Sequence, residues 1–312
     1  MVKHRVTAIQ AAPLLFDTAK TLDRFEAWLT EAAKGGADLV VFPEAFLGGY
    51  PKGVDFGARV GLRLPEGRDL FRRYFESAFD PNGPAFKTVQ DMVAKAGVNV
   101  VTGLIEPVGD TLHCAAATLD RTGKIIGWRR KLMPTAMERI IWGTGDGATL
   151  DIAETDIGRV SATICWENYM PLLRAHAYDQ RTQIYTAPTV DDRDVWLPSM
   201  QMIALEGRCF VVSACQYMTR ADIADDADYD ALQGNTPETV LIRGGSCIVS
   251  PMGEVLAPPL FGKAGLVSAE INFDDIIRGK FDLDTAGHYA RPDIFNLSVD
   301  TSRRSPPAPG RD

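Results

Sequence analysis

Apolar runs of strand length alternate with helix-spaced segments along most of this 312-residue chain, and that rhythm restricts its fold more than any other feature. RVTAIQAAP (5–13) reads as a strand. TAKTLDRFEAWLTEAAKGG (18–36) follows, with Leu22, Phe25, Trp28, Leu29 and Ala32 at helical spacing and a stop at Gly35-Gly36. ADLVVFPE (37–44) is a continuous apolar run that halts at Pro43-Glu44. Helices are expected in RDLFRRYFESAF and AFKTVQDMVAKAG, then a strand in VNVVTGLIE. TLHCAAATLDRTGKIIGWRRK is a hairpin turning at Asp120–Gly123, and GGSCIVSPMGEVLAPP is another turning at Pro251-Met252-Gly253. Between them strand and helix alternate again: GRVSATIC, PLLRAHAYDQR, TQIYTAP, WLPSMQMIALEG and CFVVSACQ, with GLVSAEINF as a last strand. Hairpins mixed with crossovers predict an α/β protein of mixed sheets covered by helices, two sheets stacked face to face. Residues 301–312, TSRRSPPAPGRD, read as a flexible tail, and DIADDADYDAL (222–232) as an exposed acidic loop.

Three of the strand-like runs end on reactive side chains. Glu44 closes LVVFPE, Lys131 closes IIGWRRK, and Cys165 closes VSATIC. Each alone reads as a solvated charge or a small buried thiol; together they predict convergence on one rim of a sheet. A cysteine of pKa about 8.5 is only a few per cent thiolate at neutral pH. A nearby cation raises that fraction, and a carboxylate can take the proton during attack. The four histidines, His4, His113, His176 and His288, offer no neighbour in sequence to Cys165, and His176 is expected on a helix surface. Arg129 and Arg130, just before Lys131, read as a solvated strand end.

Composition closes other routes. A net charge of −8 and 24% charged residues speak against nucleic acid or an anionic membrane as partner. No apolar segment approaches the roughly 18 residues of a membrane span, and the residues before the first strand, with no apolar stretch of useful length, are not expected to be a secretory signal. Five cysteines, Cys114, Cys165, Cys209, Cys215 and Cys247, are odd in number and lack a C-x-x-C pair, so reduced thiols in a cytoplasmic protein are expected, with no metal site and no cofactor. GTGDGA (143–148) lacks the Lys-Ser/Thr of a phosphate loop and precedes a strand-like run, so it reads as a tight turn.

VVFPEAFLGGYPKG, RRKLMPTAMER and ICWENYMPLLR resemble, in order and separation, the three signature stretches of the nitrilase branch of the carbon–nitrogen hydrolase family. IYTAPTVDDRDVW, IALEGRCFVVSACQ and DTAGHYARPDIF extend the resemblance to about residues 4–297. It implies a four-layer α/β/β/α sandwich of two mixed β-sheets, a domain over 4–280, and a C-terminal extension and tail over 281–312. It also implies catalytic roles for Glu44 as general base, Lys131 as positive charge and Cys165 as nucleophile. Glu138 is implied to hold Lys131 or orient water, with a plain salt bridge as the alternative; Glu167 is expected to be a structural hydrogen-bonding partner. The Trp166 backbone N–H is expected to steady charge on substrate nitrogen, and Phe46, Tyr50, Trp142 and Trp196 to line an apolar pocket or pack in the core. The implied reaction is hydrolysis of a small-molecule nitrile by water to acid and ammonia, with aryl or arylaliphatic nitriles favoured. The rivals are an amidase or N-carbamoyl hydrolase, a hydrating relative that stops at the amide, and an inert scaffold. Self-association through the helices after Cys165 and near Trp196, to a homodimer or larger, is expected. Thr144 stands where many nitrilases have Gln, and the tail is short.

Overall fold

Asp17 starts the first helix by accepting the Lys20 N–H at 2.9 Å, which satisfies one donor that helix geometry leaves open. In the computed structural model, which describes residues 3–224, 232–304 and 309, the elements follow the sequence rhythm closely. They begin with β1 (His4–Gln10), α1 (Thr18–Lys34), β2 (Leu39–Val41), the short pair β3 (Ala58–Arg59) and β4 (Leu62–Arg63), α2 (Pro65–Glu76) and α3 (Pro84–Ala96). Then come β5 (Asn99–Val108), β6 (Thr111–Leu119), β7 (Ile125–Arg130), β8 (Ala153–Thr155), β9 (Gly158–Ala162), α4 (Pro171–Asp179), β10 (Ile184–Thr189) and α5 (Trp196–Gly207). β11 (Phe210–Cys215), β12 (Tyr217–Thr219), β13 (Val240–Val249), β14 (Val255–Phe261), β15 (Gly265–Ile271) and α6 (Asp274–Gly279) complete the chain.

Two mixed sheets result. The first runs β15-β1-β2-β5-β6-β7, parallel from β1 through β5 and antiparallel elsewhere. The second runs β12-β13-β11-β10-β9-β8, with β14 paired to β13 and β9, β10 and β11 parallel. The side-chain alternation of the central strands explains why their sequences are continuously apolar. On β2, Leu39 and Val41 face the second sheet while Val40 joins Phe25, Leu29, Phe86 and Val93 of α1 and α3. On β11, Phe210 and Val212 face the first sheet while Val211 joins Trp196, Met200 and Ile203 of α5. Strands buried on both faces need apolar residues at every position. The layers are therefore α/β/β/α, as expected.

The segment after α6 follows the surface. Arg181 pairs with Asp284 at 3.1 Å, and the Thr285 hydroxyl donates to Glu206 O at 3.0 Å. Residues 301–304, expected to be loose, are instead tied down where the Arg304 N–H donates to Asp146 Oδ2 at 2.9 Å. The rest of the tail expectation, and the acidic loop across 225–231, lie outside the described residues. Among the described residues no helix is long and apolar enough to cross a membrane.

Candidate active site

Each reactive residue lies just beyond the strand that carries it. β2 stops at Val41, and Glu44 comes three residues later. Its backbone is pinned from two sides. Gln216 Nε2 donates to Glu44 O at 2.8 Å, and Gly103 of β5 lies so close that a Cβ there would sit 2.6 Å from Glu44 Cα. Lys131 follows β7 directly, and its N–H donates to Cys114 O at 2.8 Å. Cys165 is not on its strand: β9 ends at Ala162, and the cysteine opens a 3-10 turn, Cys165–Tyr169, with φ of 50°. A non-glycine residue held in that left-handed region is strained, a feature that tertiary contacts must enforce. Asn168 Nδ2 supplies one such contact by donating to Cys165 O at 2.7 Å.

The expected single rim is not how the three meet. Glu44 and Lys131 belong to the first sheet, on strands separated by β5 and β6, whereas Cys165 belongs to the second. They meet because the two sheets stack. Lys131 Nζ donates to Glu44 Oε1 at 2.6 Å and to Glu138 Oε2 at 2.7 Å, and all three side chains are buried. Glu138 also accepts the Thr135 N–H on Oε2 at 2.6 Å and the Tyr50 hydroxyl on Oε1 at 2.9 Å. The Cys165 thiol lies within electrostatic reach of the Glu44 carboxylate, and its sulfur receives the Thr189 hydroxyl at 3.3 Å. Glu44 Oε2 has no hydrogen-bond partner within 3.5 Å among the described residues.

The electrostatics follow from this dry setting. Burial pushes the Glu44 carboxyl above the usual carboxylate range, the Glu138 charge adds to the rise, and the Lys131 ammonium opposes both. Burial would strip Lys131 of its proton, but the carboxylates beside it outweigh that and hold the ammonium firmly charged. Burial, reinforced by Glu44, pushes the Cys165 thiol up, so the resting sulfur keeps its proton. The cluster is thus a neutral thiol facing a carboxylate with an open oxygen, beside a fixed ammonium. It suits nucleophilic attack in which the thiol proton moves to the carboxylate as the new bond forms.

The basic run before Lys131 is not a solvated strand end. Arg129 donates to Glu167 Oε1 at 2.7 Å and to Ala162 O at 3.0 Å, and Arg130 forms a fork on Glu106 at 2.6 and 2.7 Å, all buried. Glu167 also accepts the Leu132 and Ile164 N–H groups, so it clamps the Cys165 turn to the chain carrying Lys131, the structural role expected of it. The histidines stay out of the cluster: His4 pairs with Asp38, His113 abuts Gly143, His176 on α4 bonds Gln180, and His288 bonds Lys280.

A cleft of about 230 Å3 opens beside the cluster, lined by Tyr50, Val54, Phe56, Met137, Glu138, Ile141 and Trp142 among others. Tyr50 and Trp142 stack edge to face at 5.8 Å, and Lys131 Nζ lies 5.6 Å from the Trp142 ring centre. Cys165 is not on the cleft wall; Glu138 and Tyr50 stand between the two environments as residues of both. Trp196 is not in this cleft. As the first residue of α5 it is 2% exposed in the core, its indole N–H donating to Ser213 Oγ at 2.8 Å. Phe46 likewise packs on Phe25 and Phe42. The Trp166 indole turns outward to Asp191 Oδ2 at 2.8 Å, under Arg193, so only its main chain stays close to the sulfur. Thr189, Gln216, Asn168 and Cys114, whose thiol donates to Glu44 Oε1 at 3.7 Å, were not singled out from sequence. Their residue types are chemically bland; the one available signal was Thr189, at the end of a strand-like run as Cys165 is.

The five cysteines are free, and among the described residues no cluster of His, Cys, Asp and Glu suits a metal ion. Residues 5–281 match the carbon–nitrogen hydrolase family model. The chain is 52% identical over 297 residues to a nitrilase of Bradyrhizobium diazoefficiens, covering 95% of this chain and 92% of that protein. It is 47% identical to a bifunctional nitrilase/nitrile hydratase of Nicotiana tabacum, covering 97% and 87% respectively. A carbon–nitrogen hydrolase from Helicobacter pylori shares the fold with a TM-score of 0.71 at 19% identity, over 89% of this chain and 92% of that one.

Proposed function

The chain belongs to the carbon–nitrogen hydrolase family, and we propose that it is a nitrilase in which Cys165, Glu44, Lys131 and Glu138 form the catalytic centre. The observation that supports this most is the open Glu44 Oε2 beside a protonated Cys165 thiol, with Lys131 locked between two carboxylates.

Glu44 takes the thiol proton while sulfur adds to the nitrile carbon. Negative charge grows on nitrogen, where Lys131 and the Trp166 backbone N–H stabilise it; one such donor contributes about 3 kcal/mol to the barrier. Glu44 passes the proton to nitrogen, leaving a thioimidate. Water adds with Glu44 as base, ammonia leaves with a proton from Glu44, and a second water cleaves the thioester to the acid. Glu138 keeps Lys131 aimed throughout, and through Tyr50 it ties the cluster to the cleft wall.

The aromatic and apolar wall supports aryl or arylaliphatic nitriles. Two of the cleft's wall residues, Tyr50 and Glu138, bond each other and join it to the Lys131 cluster. The bifunctional relative supports a second reading, in which part of the substrate leaves as amide. Free cysteines support the cytoplasm as the compartment. Exposed Leu172 on α4 and Met202 on α5 support a homodimer through those helices. The deciding experiment is a panel of nitriles read for ammonia, acid and amide together. Acid and ammonia as main products are expected; turnover of amides but no nitrile would overturn the assignment.

A further inference from the structure

Thr189 ends β10 and is fully buried. Its Oγ1 accepts the Asp191 N–H at 2.9 Å and lies 3.3 Å from Cys165 Sγ. A backbone N–H can only donate, so the direction of the first bond is settled, and the one hydroxyl hydrogen is left for the sulfur. The sulfur that accepts it keeps its own hydrogen for another acceptor. Glu44, whose Oε2 has no hydrogen-bond partner among the described residues and whose charge acts on this thiol, is the carboxylate placed to take that hydrogen when attack begins. The same loop also grips the residue after the nucleophile, since Asp191 holds the Trp166 indole.

We propose that Thr189 is a further catalytic residue, a hydroxyl donor to the Cys165 sulfur that favours both attack on the nitrile and release of product as amide. The second half rests on the nitrilase reading above. Sulfur carries negative charge at two moments. The first is attack, when the S–H bond gives its proton to Glu44 and the S–C bond forms. The second is a fork. After water adds to the thioimidate, the tetrahedral carbon bears oxygen, nitrogen and sulfur. If the C–N bond breaks, nitrogen leaves as ammonia with a proton from Glu44, and a thioester remains. If the C–S bond breaks, its electron pair returns to sulfur and the released product is the amide. A donor on sulfur lowers only the second exit.

The test compares Thr189→Val, which removes the hydroxyl at nearly constant volume, with Thr189→Ser, which keeps it. Iodoacetamide alkylation of Cys165, followed by peptide mass spectrometry between pH 6 and 10, needs no nitrile. Thr189→Val should react about tenfold more slowly across that range, because a lost hydrogen bond to a charged atom is worth that much or more. Thr189→Ser should stay near the unaltered protein. With the nitrile that yields most amide, Thr189→Val should give a several-fold lower amide-to-acid ratio, a direction that general damage to the site does not predict. If Thr189→Val does not fold, Thr189→Ala serves for both arms. An unchanged alkylation rate overturns the role in attack, and an amide ratio that holds or rises overturns the role at the fork. Absence of nitrile turnover in the unaltered protein would sink the nitrilase reading but leave the alkylation arm standing.

Discussion

Replacing Glu138 by glutamine tests the electrostatics of the cluster with little change of shape. Glu138 Oε2 accepts from Lys131 and Thr135, and Oε1 accepts from Tyr50. A carboxamide can keep its oxygen on the first pair and turn its NH2 to the Tyr50 oxygen, so the geometry survives while the charge goes. The nearest oxygens of Glu44 and Glu138 lie 2.6 and 2.7 Å from the same Nζ, hence no more than about 5 Å apart. Two like charges at that distance repel by about 3 kcal/mol at an effective dielectric of about 20, or about two pKa units. The Glu138 charge is one cause of the raised Glu44 carboxyl, after burial. Removing it favours the ionised form and lowers the Glu44 pKa. Glu44 must be ionised to take the thiol proton, so activity is lost as pH falls through that pKa. The acid limb of kcat/KM should therefore move down by about one to two pH units in Glu138→Gln, while the plateau falls because Lys131 keeps its hydrogen bond there but loses one of its two ion pairs. The assay is ammonia release from an uncharged nitrile between pH 4 and 9. An acid limb that stays in place, or moves up, would refute the coupling.

Cys165→Ala should abolish turnover and retain the circular dichroism spectrum, whereas Cys209→Ala and Cys247→Ala, in the helix-side core of the second sheet, should keep it; turnover by Cys165→Ala would end the covalent mechanism. Glu167→Gln leaves the buried Arg129 guanidinium short of its partner at 2.7 Å, a loss of about 3 kcal/mol. At about 2.1 cal/mol/K per residue over 312 residues that is a fall of about 5 °C in Tm, and a calorimetric Tm within about 1 °C of the unaltered protein would contradict it. Sedimentation at micromolar concentration should show a dimer or larger, and a species of only 34.1 kDa would count against the interface.

How much was legible in the residues depends on whether the property is local. Helix α1 could be read from Phe25, Leu29 and Ala32 at helical spacing and the glycines that follow, because capping and periodicity act within a few residues. The layered class could be read from runs such as LVV and FVVSAC, since only strands covered on both faces need apolar residues at successive positions. Glu44, Lys131 and Cys165 stood out because a charge or a thiol at the end of an apolar run is costly unless something uses it; Glu138 was marked only by the family resemblance, and Glu167 was expected to bond structurally.

What the chain could not show locally was which strand ends meet. Glu44 and Cys165 are neighbours only because the two sheets stack, and stacking is decided by alternate side chains such as Leu39, Val41, Val160 and Ile184 in the core between them. The same stacking decided which charges are dry. Arg129 and Arg130 looked like solvated residues, yet each found a buried glutamate brought from elsewhere, Glu167 from 38 residues on and Glu106 from 24 residues back. Trp196 and Trp142 looked alike beside their motifs; the direction of α5 sent one into the core, and the turn after Glu138 put the other on the cleft wall. Thr189 had no charge to betray it, and it acquired its hydrogen bond to sulfur only when β10 was laid beside β9. Patterns of burial are local and period-bound, so sequence determined them; the pairing of one charge or one sulfur with its partner is a long-range consequence of packing, so only the tertiary structure decided it.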